Sequence, residues 1–160
     1  MIVVSDTSPI SNLAAIGQLV ILQQLYSEVI IPTAVYQELL DSGVEDPAVL
    51  AIQTLDWVQV CSVTNAVLSQ SLQASLDAGE AEAIVLAVEL AADRLLMDER
   101  RGRQQAMQAG LKVTGLLGVL LAAKQQSVIA TVQPILDALI ANGFWVRDEL
   151  YAETLRLAGE

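Results

Sequence analysis

Two hydrophobic periods alternate along the chain. Short aliphatic and β-branched runs at Ile2–Ser5, Glu28–Ile31, Trp57–Cys61, Arg94–Met97 and Leu111–Val113 are too brief for helices and read as strands. Between them apolar residues recur every three or four positions, which predicts helices over Pro9–Ile16, Leu19–Tyr26, Pro32–Gly43, Asp46–Thr54 and Thr64–Leu76, then from about Asp77 and over Glu99–Gly110. After the last strand only helical spacing remains, at Leu116–Lys124, Thr131–Ala141 and Asp148–Ala158.

Strands separated by helices call for an α/β fold: a parallel sheet with helices on both faces. No repeat, low-complexity tract or long linker divides the sequence, so residues 1–160 are expected to form one domain with a helical tail from about 131. A hydrophobic fraction of 54% and a mean hydropathy of +0.51 exclude disorder. They do not imply a membrane span, because the greasiest stretches fall short of the ~20 apolar residues one requires. The start of the chain has no basic segment ahead of a long apolar core and does not read as a signal peptide. Cys61 is the single cysteine, so no internal disulfide can form, and a cytoplasmic location is expected.

Composition then narrows the chemistry. With no histidine there is no Ser-His or Cys-His pair, and one cysteine cannot build a zinc site. Carboxylates abound instead: 19 Asp and Glu against 8 Lys and Arg leave a formal charge of −11. Oxygen donors of this kind suit hard cations such as Mg2+ or Mn2+. The same charge opposes simple nucleic-acid binding, which needs a basic face.

Two aspartates follow strands directly, Asp6 after IVVS and Asp98 after RLLM. In a parallel sheet both emerge at the carboxyl edge, where ligands of open α/β sheets bind. Asp6 also has an ordinary reading as a helix cap ahead of Thr7, Ser8 and Pro9. Glu38 lies three residues after Val35 on the third helix, at the margin of its inner face or on the solvated one. In DAGEAEAI, Asp77 and Glu80 read as an N-cap and its capping-box partner. Glu82, two positions on, points nearly opposite to Glu80. One of the pair can face a metal directly, and the reading prefers Glu82. Arg94, Arg100, Arg101 and Arg103 are half of the basic residues within one ten-residue window. They form either a solvated face or a phosphate-binding cluster suited to the planar guanidinium.

VSDTSPISNLAAIG, IPTAVYQELL, DAGEAEAIVLA, LLMDERRGRQQA, KVTGLLGVLLAAK and the FWVRDELYAETL tail, in this order, resemble a PIN-domain protein of a prokaryotic nucleic-acid-binding subfamily. The resemblance spans nearly the whole chain. It implies a Rossmann-like three-layer α/β/α domain and a toxin-like ribonuclease, possessing an antitoxin partner where it belongs to a toxin–antitoxin pair. The family's acidic positions fall on Asp6, Glu38, Glu82 (with Glu80 as the neighbouring alternative) and Asp98, and its hydroxyl position on Thr7 or Ser8. Asp6, Asp98 and one or two glutamates would hold one or two Mg2+ or Mn2+ ions, which activate water for attack on a phosphodiester of RNA. Arg94, Arg100, Arg101 and Arg103 would meet its phosphates.

Two other classes compete. One is a catalytically silent binding module of the same fold, able to form a homodimer through apolar helices. The other is a phosphotransferase with Asp6 as nucleophile, on the haloacid-dehalogenase pattern D-x-D-x-T. Ser8 stands where that pattern needs its second aspartate.

Overall fold

All five expected strands form, four of them one residue shorter than the run that encodes them and the second equally long but one residue later. The computed structural model describes residues 1–43 and 45–160. Its strands are β1 (Val3–Ser5), β2 (Val29–Pro32), β3 (Val58–Cys61), β4 (Arg94–Leu96) and β5 (Val113–Thr114). Ten helices occur among the described residues: α1 (Thr7–Ala15), α2 (Val20–Tyr26), α3 (Thr33–Asp41), α4 (Pro47–Thr54), α5 (Ala66–Leu72), α6 (Ala78–Glu89), α7 (Arg100–Gln108), α8 (Leu116–Gln125), α9 (Gln133–Ala141) and α10 (Asp148–Leu157).

Local chemistry sets several boundaries. Asp46 accepts a hydrogen bond from the Ala48 N–H at 2.8 Å, with Pro47 opening α4 as its preset φ favours. Helix α5 is shorter than the expected Thr64–Leu76. Asn65 caps it by accepting from the Leu68 N–H at 3.0 Å, and the chain turns through 73–75 before α6.

The strands run parallel in the order β3-β2-β1-β4-β5. From β1 the chain builds outward through β2 and β3, then returns past β1 to lay down β4 and β5. The topological switch point therefore lies between β1 and β4, where Ser5 pairs with Leu96.

Alternation along the strands sorts the core into two layers, as the period of two requires. Val3, Val29, Ile31 and Leu96 pack on one face against α1, α3, α8 and α9. Val4, Leu95 and Met97 pack on the other with Ile84 and Leu86 of α6 and Ala106 of α7. The result is the expected α/β/α sandwich. Among the described residues no helix is long and apolar enough to cross a membrane.

Candidate active site

The Ser5–Leu96 pairing puts Asp6 beside Met97, with Asp98 one step further on the neighbouring strand. The Asp6 N–H donates to the Leu96 carbonyl at 2.9 Å, prolonging the ladder to the base of the site. Adjacent strands are ~4.8 Å apart, so the two aspartates flank the switch-point crevice.

Asp6 stands at the cap position of α1 in extended conformation, but its side chain makes no capping bond to the helix. It is 5% exposed. Burial pushes its carboxyl up to about 7; the Thr7 N–H pulls down, and repulsion from Asp77, Glu38 and Asp98 pushes up again. The dull reading of Asp6 as a cap thus fails, while Thr7, Ser8 and Pro9 do open the helix.

The hydroxyls of Thr7 and Ser8 serve different acids. Thr7 donates to Glu38 Oε2 at 2.5 Å, and Glu38 Oε1 accepts from the Gly79 N–H at 3.0 Å. Glu38 is therefore turned inward, not toward solvent. Ser8 makes a long bond of 3.4 Å to Asp98 Oδ2 and accepts from Asn12 at 3.0 Å. Asp98 Oδ1 accepts from the Leu116 N–H at 2.7 Å, at the start of α8. Burial raises the Asp98 carboxyl, and the Leu116 N–H, Arg103 and Ser8 oppose the rise.

The two glutamates of α6 divide as their spacing demands, but in the opposite sense to the expectation. Glu82 Oε1 accepts from the Ala34 N–H at 3.0 Å in the first turn of α3. Pro32, at the cap position of that helix, has no side-chain acceptor, so Glu82 supplies one. Glu80 instead is buried and faces the acids: burial raises its carboxyl, as do a hydrogen bond with Asp77 and repulsion from Asp77, Asp6 and Glu99. Asp77 caps α6 by accepting from the Glu80 N–H at 2.8 Å. The sequence reading missed Asp77 and Glu99 as members of this acidic group.

Three glycines make room for it. A Cβ on Gly79 would lie 2.5 Å from Glu38 Oε1, one on Gly102 2.9 Å from Glu80 Oε2, and one on Gly115 3.1 Å from Asp98 Oδ1 and 2.5 Å from Arg103. Each charged group thus occupies the space of an absent side chain. The GE step in DAGEAEAI was the visible trace of this arrangement.

The donor set is all carboxylate oxygen and mutually repulsive, with Asp6 and Glu80 buried and Glu38 and Asp98 half-buried, and suits a hard divalent cation. As the side chains stand, no group of three acids among the described residues is disposed to hold one ion. Glu38 and Asp98 are engaged with helix N–H groups.

The arginines also divide. Arg100 and Arg103, one helical turn apart, line a groove of about 1780 Å3 that reaches Ser8 and Asp98. Arg101 points away and donates to the Ser75 carbonyl at 3.3 Å. Arg94 opens β4, roughly 13 Å along the strand from Asp98, so it does not share the acidic edge. It lines the far end of the same groove, joined by Arg147, which the sequence reading overlooked.

An open parallel sheet with carboxylates gathered at its switch point defines a Rossmann-like domain with an acidic site. The PIN-domain family profile matches residues 2–160, and the chain belongs to that family. It is a fold generally of nucleases, whose members typically use divalent metal ions. Among solved structures the chain is similar to a PilT N-terminus domain protein from the hyperthermophilic archaeon Sulfolobus solfataricus P2. The identity is 21% over 77% of this chain and 93% of that one, with a TM-score of 0.55. At that identity the likeness is one of fold. No curated protein matches.

Proposed function

We propose that the chain is a metal-dependent ribonuclease that hydrolyses phosphodiester bonds with Mg2+ or Mn2+. The observation that carries this reading is the placement of Asp6 and Asp98 on neighbouring strands across the switch point, with Glu38 and Glu80 turned toward them. Asp6, Glu38, Glu80 and Asp98 would hold one or two ions. A bound cation lowers the pKa of a water and offsets charge building on the phosphoryl oxygens.

The chain's own groups do the rest. Thr7 and the Gly79 N–H fix the Glu38 carboxylate, while the Leu116 N–H, Ser8 and Arg103 oppose the upward push that burial gives Asp98. Asp6, its carboxyl raised to about 7, would have to ionise to serve as a ligand. Arg100 and Arg103 draw a phosphate toward the aspartates against the net negative charge. The toxin half of a toxin–antitoxin pair is a biological setting this chemistry fits, with an antitoxin that neutralises the acidic edge.

A second reading, a silent binding module, has one observation in its favour: Glu38 and Asp98 already bond the N–H groups of α6 and α8. Cleavage of single-stranded RNA by the full chain, in Mg2+, in Mn2+ and in EDTA, separates the two. Activity restricted to the metals and at least a hundred-fold lower in Asp6→Asn is expected. Equal cleavage by Asp6→Asn overturns the catalytic proposal.

A further inference from the structure

The groove beyond the acidic edge has features that the acids do not explain. Four of the chain's eight basic residues, Arg94, Arg100, Arg103 and Arg147, line it, in a protein of net charge −11. Among the described residues the ion pairs are Lys124–Glu160 and Arg156–Glu153, so none of these four is neutralised by one. Among the described residues the acids lining the groove are Asp98 and Glu99, both at the catalytic end.

One wall is the arm between α9 and α10. Gly143, at φ 103°, reverses the chain after α9 in a conformation that L side chains rarely adopt. Phe144 then packs on the core and anchors the arm. Trp145, next along, is 78% exposed, whereas the other tryptophan, Trp57, is 7% exposed. An indole held in water beside guanidinium groups that form no ion pair among the described residues combines a stacking surface with phosphate donors. This pairing recurs in sites for single strands, whose unstacked bases can lie on an aromatic ring.

We propose that this groove is the track for a single strand of nucleic acid. Trp145 stacks a base, Arg147 and Arg94 contact phosphates away from the acids, and Arg100 and Arg103 contact those at the end where Asp98 lies. The inference deepens the nuclease reading and rests on it for its direction, since the track ends at the proposed catalytic acids. The arm's part in it belongs to this chain's own FWVR segment. Four guanidinium groups and an aromatic plane favour an anionic polymer with exposed bases over a protein surface.

Binding of a short fluorescent oligouridylate to the full chain in EDTA tests the track without any hydrolysis. Anisotropy should report a saturable complex that weakens with salt. Trp145→Ala should lower affinity roughly ten-fold. Arg147→Gln should reduce the slope of log affinity against log salt by about 0.7, the contribution of one phosphate contact. Both residues are exposed, and melting curves unchanged from the parent show that the variants fold. The same sequence as DNA distinguishes the sugar: tighter RNA binding assigns RNA as the ligand, and equal binding assigns any single strand. A duplex bound as tightly as the single strand overturns the proposal, as does full affinity in Trp145→Ala. If Trp145→Ala instead abolishes self-association in sedimentation and leaves RNA binding intact, the face is a protein interface and the proposal falls. Retained binding with no metal-dependent cleavage would sink the nuclease reading alone.

Discussion

Glu82 on α6 accepts a hydrogen bond from the Ala34 N–H at 3.0 Å, and so closes the first turn of α3 from a distance of 48 residues in sequence. Glu80, on the same helix, faces the acids instead. The pair should separate stability from metal binding. Glu82→Ala removes a cap and should cost about 1 kcal/mol in chemical denaturation, leaving Mn2+ affinity by calorimetry unchanged. Glu80→Gln should do the reverse: little loss of stability, because the amide matches the neutral form that burial and the neighbouring acids favour, and Mn2+ affinity at least ten-fold lower. Equal loss of metal binding in both variants would restore Glu82 to the site.

Gly79 tests whether the position of Glu38 matters more than its presence. An added methyl would lie 2.5 and 2.6 Å from the two Glu38 carboxylate oxygens. The obstructed group is the tip of a flexible side chain, so it can swing aside without disturbing the fold. Within a helix Ala is also preferred to Gly by about 1 kcal/mol. Gly79→Ala should therefore melt at or slightly above the parent temperature, with RNA cleavage reduced at least ten-fold. Unchanged cleavage would show that Glu38 has no fixed role.

Asp6 gives the metal-free protein a pH-dependent weakness. Its carboxyl is raised from 3.8 to about 7, so between those values the native state holds a proton that the unfolded chain has released. Stability from this group is full below pH 3.8 and declines as pH rises, until the loss levels off above pH 7. At about 1.4 kcal/mol per pH unit the span is worth about 4 kcal/mol as a ceiling. In EDTA, Asp6→Asn should match the parent near pH 4 and exceed it at pH 8, measured by urea unfolding. A difference independent of pH would refute the buried, repelled carboxylate.

The strands and the two aspartates at their ends were legible because both follow from periodicity: apolar runs end where the core ends. Glu38 was less so, since its inward turn depends on Thr7 and on a glycine 41 positions away in sequence. The inward turn of Glu80 rather than Glu82 was hidden for a related reason. A capping box accounts locally for Glu80, and nothing near Glu82 shows that α3, capped by Pro32, takes its acceptor from α6. The full arginine set of the groove was not legible, because proximity in sequence is not proximity in space. Arg101 turns off the face that Arg100 and Arg103 share, while Arg147 arrives on an arm whose path is set by Gly143. Long-range contacts of side chains, unlike the period of the backbone, leave no regular mark on the sequence.

Divalent metal should reverse the weakness that Asp6 creates. A cation held by the acids binds the native chain and not the unfolded one, so a concentration one hundred times the Kd adds about 2.7 kcal/mol. In a domain of this length that raises Tm by several degrees. Protons compete for the same oxygens, because Asp6 is half protonated near pH 7 and must ionise to serve as a ligand. The rise in Tm at a fixed Mn2+ concentration should therefore be small at pH 5.5 and grow through pH 8, opposite in sign to the trend in EDTA. In Asp6→Asn, and in Asp98→Asn, the rise should be largely lost at every pH. Scanning fluorimetry across pH, with Mn2+, Mg2+ and EDTA in parallel, measures all three effects. A pH-independent rise, or one that survives in both variants, would place the ion away from the switch point.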